Sequence, residues 1–253
     1  MAWQIARHWG NRRFARPAPA AEVLAAVLLH DSGWTAFDAA PALDPTGRPR
    51  TFDAMETPVH LEIWRESVHR AAQASRYTGL LVADHHRMLA ARKLADLEAR
   101  DDAEGAALTR GFAAEMAATV ATWETDLASD PRYEHALRGP GRRANAMVLA
   151  AADRISVWLC AGMPFPFELP AVGRRGEELT VTVRLLVGGR LRLDPWPLEG
   201  RGAAVHCEGR RLSGARFGSA AELHDALADA PVERLRFELL RASASGATRP
   251  GRG

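Results

Sequence analysis

Glu22-Val-Leu-Ala-Ala-Val-Leu-Leu-His-Asp-Ser-Gly-Trp34 is the stretch from which the rest of the chain is read. Its apolar run has the character of a buried helix, and it closes on His30-Asp31, an imidazole and a carboxylate side by side. Consecutive side chains on a regular helix diverge by about 100°. The pair can therefore converge on one point only if Asp31 sits where the helix breaks, and Gly33 is expected to supply that break. These are the two ligand types a divalent metal needs for hydrolytic chemistry. A histidine at a helix end also serves simply to satisfy the last carbonyls beside an exposed acid. The choice between the two readings rests on residues further along.

Helical patterning surrounds the pair. Ile5, Ala6 and Trp9 are spaced as on one helix face, with no residue before them to cap a first turn, so the chain reads as beginning in mid-helix. From Asp31 to Pro58, Gly33, Pro41, Pro45, Gly47, Pro49 and Pro58 exclude long elements, and a connection of that length inside a compact domain is usually functional. Further helices are expected over Val59 to Arg76, from Tyr77 towards Leu97, over Glu104 to Ala128 and over Arg143 to Cys160. They stop abruptly at Gly162-Met-Pro-Phe-Pro-Phe-Glu-Leu-Pro170.

The period then changes from helical to alternating. Leu179 to Leu185 reads as a strand, Gly188-Gly189 as a hairpin turn and Arg190 to Asp194 as its return. Ala203 to Cys207 is a third strand ending in a turn at Glu208-Gly209. Ser219-Ala-Ala-Glu222 is a capping box for a short helix to about Ala228, and Val232 to Leu239 is a last strand. The fold class is mainly α: a helical bundle over residues 1–163, then a small antiparallel sheet with one short helix over 164–241, packed on it. Residues 242–253 lack apolar periodicity and are expected to be disordered.

Composition narrows the function. Across 253 residues, 33 basic side chains face 31 acidic ones, leaving a net charge of +2 with the signs interspersed. Nothing there marks a nucleic-acid surface. Lys93 is the sole lysine, which reads as compositional bias towards arginine. Cys160 and Cys207 are too few for a disulfide framework and lie in different segments, so a cytoplasmic setting is the default. The apolar run from Ala144 to Met163 carries Asp153 and Arg154 at its centre, which argues for a buried helix and against a membrane span.

Asp153 is the second clue. On a helix apolar nearly all round, its carboxylate costs several kcal/mol to bury unless it is paired with an arginine or metal-bound. His85 is the third, and by helical geometry only one of His85 and His86 should face a core site. His60, just after Pro58 at a helix start, can project over a cavity mouth, whereas His69 lies among charged residues. His135, His206 and His224 fall in loops or the C-terminal part and are expected at the surface.

His30-Asp31, His85 and Asp153 together resemble the metal-binding pattern of the HD-domain superfamily of metal-dependent phosphohydrolases. Over nearly its whole length the chain also resembles a bacterial family of HD-like proteins of unknown function. The motifs that carry this are His30-Asp-Ser-Gly-Trp34, Asp38-Ala-Ala-Pro41, Asp44-Pro-Thr-Gly-Arg-Pro49, Gly79-Leu-Leu-Val82 with His85, Asp153-Arg-Ile-Ser156 with Cys160, and Asp194-Pro-Trp-Pro197. The resemblance implies one or two divalent transition metal ions (Mn, Fe, Zn, Ni or Co) held by His30, Asp31, His85 and Asp153, with His60 and His8 as further ligands. HD proteins take their first histidine from the helix before the pair, near a point just upstream of Met1 here. Either His8 substitutes for it or that ligand lies upstream of this start.

The implied reaction is hydrolysis of a small phosphorylated molecule, a phosphomonoester or phosphodiester. Asp31 is the expected catalytic carboxylate, Arg48 and Arg50 the phosphate grip, and Trp34 and Asp38 the walls of the pocket mouth. Two alternatives stand beside it: an HD-type di-iron oxygenase using His60, and a metal-deficient HD fold acting as a ligand-binding or interaction module. The C-terminal strands either cover the site or make a homodimer contact.

Overall fold

A computed structural model describes residues 1–242. Of the tail expected to be disordered, residues 243–253 lie outside the described residues. The helical part comprises α1 (Ala2–Ala6), α2 (Ala20–Leu29), α3 (Thr35–Ala39), α4 (Thr57–Ala74), α5 (Arg76–Ala99), α6 (Ala103–Leu127), α7 (Glu134–Leu137) and α8 (Pro140–Ala161). A sheet of β1 (Phe167–Val172), β2 (Glu178–Leu186), β3 (Arg190–Asp194), β4 (Gly202–Arg210) and β5 (Val232–Arg241) follows, with α9 (Ala220–Asp229) before the last strand.

Helix α5 is the centre of the helical part and packs against α2, α4, α6 and α8. Its first half, from Tyr77 to Ala83, is buried all round, which is why it shows no clean amphipathic period. Ser75 starts it, extended in backbone and accepting a hydrogen bond from the Thr78 amide on its side-chain oxygen. Helix α4 buries Leu61, Trp64, Val68 and Ala71, the i, i+3, i+7, i+10 stripe of a helix with one solvent face. Helix α8 begins with Pro140 in its first turn and ends on Gly162 at φ 65°, the left-handed residue that satisfies a helix C-terminus. Among the described residues α8 is the one helix long and apolar enough to cross a membrane. Its Val148, Leu149, Ile155 and Leu159 are buried, each contributing roughly 1.5–3 kcal/mol. That burial sets the rotation of α8 and so the direction in which Asp153 points.

The sheet order is β1-β2-β3-β5-β4. It is antiparallel except between β3 and β5, which run parallel because α9 carries the chain back to insert β5 between β3 and β4. Gly188 and Gly189, at φ 76° and 69°, make the tight turn between β2 and β3. Strand β1 has no counterpart in the sequence reading, since Pro166 and Pro170 argue against a strand. Pro170 is tolerated because β1 is the edge strand of the sheet, paired to β2 on one side and on the other meeting the Ala15 amide, which donates to the Val172 carbonyl. Glu208-Gly209, expected as a turn, continues β4 instead and pairs with Arg234 and Glu233. The apolar core is continuous from α1, α2, α5 and α8 into Leu169, Val181, Leu191, Leu193 and Leu239 of the sheet.

The expected break after α2 is present but built differently. His30 is still helical, Asp31 is not, and the chain passes into a 3-10 turn over Ser32–Trp34. Gly33 is not left-handed: it is there because α4 leaves no room for a side chain. A Cβ at residue 33 would lie 2.0 Å from the Ile63 carbonyl oxygen, and the Gly33 amide donates to Ser67 Oγ at 2.9 Å. We expect Gly33→Ala to force α2 and α4 apart, destabilising by about 2–3 kcal/mol and lowering Tm by about 5–10 °C. A thermal melt within 1–2 °C of the parent, by ordinary ~0.5 kcal/mol surface-mutation standards, would show that the contact is soft.

Candidate metal centre

His30 at the end of α2, His85 on α5 and Asp153 on α8 meet at one point, their candidate ligand atoms all within 4.8 Å of one another. His30 Nε2 lies 3.3 Å from Asp153 Oδ1, and His85 Nε2 lies 3.5 Å from Asp153 Oδ2. Asp31 Oδ2 approaches the same His30 nitrogen at 3.3 Å from the solvent side, so the adjacent pair does converge. The His30, His85 and Asp153 side chains are 8%, 2% and 14% exposed, against 53% for Asp31. The site is thus closed at its base and open at one carboxylate.

The orientation of His30 is fixed at both ends. Its Nδ1 donates to the Val27 carbonyl at 2.8 Å, which leaves Nε2 as the atom presented to Asp153 and Asp31. Its own carbonyl accepts from His86 Nε2 at 3.0 Å. As expected, the two neighbours His85 and His86 point different ways: His85 into the cluster, His86 behind it, stacked on Trp64 with ring centroids 5.3 Å apart.

Burial opposes ionisation of Asp153, but the imidazoles of His30 and His85 outweigh it and hold the carboxyl below the ordinary carboxylate range. Burial likewise opposes a charge on His30, yet hydrogen bonds to Asp153 and Asp31 hold its pKa well above the usual histidine value. His85 is left over. At 3.5 Å its contact with Asp153 is too long for a good hydrogen bond, and both of its ring nitrogens are buried without a partner among the described residues. A buried, unpaired imidazole is costly. A divalent cation held by Nε2 and the Asp153 carboxylate would give that nitrogen a partner, and two imidazoles with one or two carboxylates suit a borderline transition metal. The residues present fit such an ion.

One comparison with known proteins bears on these residues. A family model described as a protein of unknown function (DUF3891) matches residues 1–214. The chain belongs to this family. No curated protein and no solved structure matches it. Within this DUF3891 protein, the match includes every residue of the cluster and leaves out α9 and β5.

The other sequence candidates are placed unevenly around the cluster. Asp38, on α3, is raised by partial burial and by the nearby Asp31 charge, which puts it on the open side. Trp34 stands edge-on to His60 at 5.4 Å, and His60 in turn lies 4.5 Å from the Trp64 ring. His60 is therefore an aromatic wall beside the cluster and does not join its ligand group. Its Nδ1 is buried without a partner. His8 is also outside the group: its ring accepts from Arg7 and its carbonyl from the Glu199 amide, at the junction of α1 with the segment before β4. Arg50 pairs with Glu56 at 3.3 Å, one turn before His60. Arg48 is exposed, and its amide is used by Asp44 Oδ1 in a turn whose Gly47 carbonyl accepts from the Phe217 amide at 2.8 Å. His69, His135 and His224 are exposed. A cleft of about 580 Å³ beside α5 and α8 is lined by Asp84, Arg87, Met88 and Arg142, not by the cluster, and acids already neutralise its arginines.

Two residues matter more than their sequence context suggested. His86 holds the His30 backbone, a role that becomes visible only once α2 and α5 are packed. Lys93 lies seven residues after His86, about two turns further along α5. Its charge bears on His60 from one side while that of Asp31 bears from another. The only lysine is thus a cation close enough to His60 to act on it.

Burial, reinforced by Lys93, brings His60 down to about 4. A histidine held neutral in the fold takes up its proton first in the unfolded chain, so its contribution is complete above the unfolded value near 6.5 and is lost as pH falls towards 4. In chelator-treated protein, the Tm difference between parent and His60→Phe should be flat above pH 7 and move in favour of the variant as pH falls from about 6.5 to about 4. A difference independent of pH would contradict this.

Proposed function

We propose that this DUF3891 protein is a metal-dependent phosphohydrolase of HD type, acting on a small phosphomonoester or phosphodiester. The observation that carries the reading is the convergence of His30, His85 and Asp153 with both His85 ring nitrogens lacking a partner. In this reading His30, His85 and Asp153 hold one divalent transition metal, Asp31 completing the set from the open side. When bound, such an ion supplies a Lewis acid for a phosphoryl oxygen and lowers the pKa of water. The residues do the rest. Asp31, half exposed beside His30, is placed to take a proton from an attacking water. Lys93 supplies positive charge for the phosphate, while Trp34 and His60 wall the opening. Because neither His60 nor His8 joins the ligand group, we favour one ion over the paired irons of an oxygenase.

Elemental analysis tests the first half. The parent protein, loaded with Mn, Fe, Co, Ni or Zn and desalted, should retain about one ion per chain, in keeping with a single mixed His and carboxylate site. His85→Ala and Asp153→Ala should retain none while keeping their far-UV helical signal. Retention in both variants, or none in the parent, overturns the site. Release of phosphate or nitrophenol from generic aryl phosphomonoesters and diesters, abolished by chelation, tests the second half; metal-dependent oxygen consumption without hydrolysis would replace it with oxygenation. His86→Phe preserves the stack on Trp64 but removes the donor to the His30 carbonyl. It should weaken metal affinity or turnover by roughly 10–100-fold, the usual cost of losing a supporting contact behind a ligand. An unchanged titration would show that His30 needs no such support.

A further inference from the structure

Cys160 and Cys207 are the only cysteines in the chain. They lie 47 residues apart, one in the last turn of α8 and the other on β4, yet their sulfurs are 3.8 Å from each other. Cys207 sits two residues after buried Val205 on the same strand face, and so looks towards the helical body. Both are free thiols, Cys160 exposed and Cys207 half-buried. The sequence reading kept them apart; the fold brings them into contact.

We propose that Cys160 and Cys207 form a redox-modification site, a dithiol that a small-molecule disulfide of the glutathione type converts into one intramolecular disulfide. One protein thiolate attacks the small disulfide, forming a mixed disulfide and expelling a thiolate. The second protein sulfur, as its thiolate, then attacks the mixed disulfide and expels the other small thiol. The protein loses two electrons and two protons, and the small disulfide is reduced to two thiols. Closing from 3.8 Å to a bonded distance of about 2.05 Å asks only for rotation of two side chains and a small shift of the last turn of α8. That turn runs straight into Gly162, where the helix has already ended. Burial and the neighbouring Cys207 sulfur push the Cys160 thiol up to about 11, so exchange should quicken as pH rises.

The bond would tie β4 to the helix that also carries Asp153, seven residues or about two turns before Cys160. It would thus couple the oxidation state of the surroundings to the rigidity of the sheet on the helical body. This does not depend on the hydrolase reading, and its test needs no activity.

The test is incubation of the full chain with oxidised glutathione at mildly alkaline pH, followed by thiol titration, intact mass and non-reducing peptide mapping. Both thiols should disappear with the loss of two hydrogens and no adduct, and one peptide pair should link Cys160 to Cys207. Tm should rise by about 5–10 °C, reversibly on reduction, as expected for closing a loop of this size. Cys160→Ser and Cys207→Ser should show neither the link nor the rise. A parent protein that keeps both thiols, stops at a stable glutathione adduct or links only between chains overturns the proposal.

Discussion

A carboxylate buried between two imidazoles is the constraint on which the centre of this molecule depends. Asp153 sits on a helix otherwise given over to apolar packing, and an isolated charge there would be expensive. It is tolerable because α2 ends at His30 and because α5 delivers His85 rather than His86 to the same point. Each of those conditions recruits another. His30 is aimed by Val27 below and held by His86 behind, and the turn after it fits against α4 only because residue 33 has no side chain. The polar cluster therefore dictates the close packing of the helices around it as much as the helices create the cluster.

Much of this was legible in the sequence because it rests on local signals. The break after His30, the burial of Asp153 and the choice of one histidine from the His85-His86 pair all follow from helical periodicity and the cost of a buried charge. The hairpin at Gly188-Gly189 and the capped α9 were readable for the same reason: each is a short-range turn or cap signal. What escaped reading depends on partners distant in sequence. Pro170 disguised β1, since only the sheet order shows that its outer edge needs no donor. The parallel contact of β3 with β5 is a matter of insertion order, which strand periodicity does not encode.

Among the site residues the same division holds. His60 was read from its position at a helix start as a candidate ligand, whereas its aromatic environment, outside the ligand group, comes from Trp34 and Trp64 on two different elements. Lys93 looked like a compositional accident because its significance is positional: its charge reaches His60, on a different helix. Gly33 was expected to supply the helix break; its place is set instead by steric exclusion by Ile63.

The hydrogen bond from the Phe217 amide to the Gly47 carbonyl has a wider consequence. It anchors the long connection that leaves the His30-Asp31 pair to a segment lying past the end of the matched family region at residue 214. The cluster residues and the connection that follows them are thus held by different parts of the chain. Changes in the stretch around Phe217 can shift where that connection lies while leaving His30, His85 and Asp153 as they are.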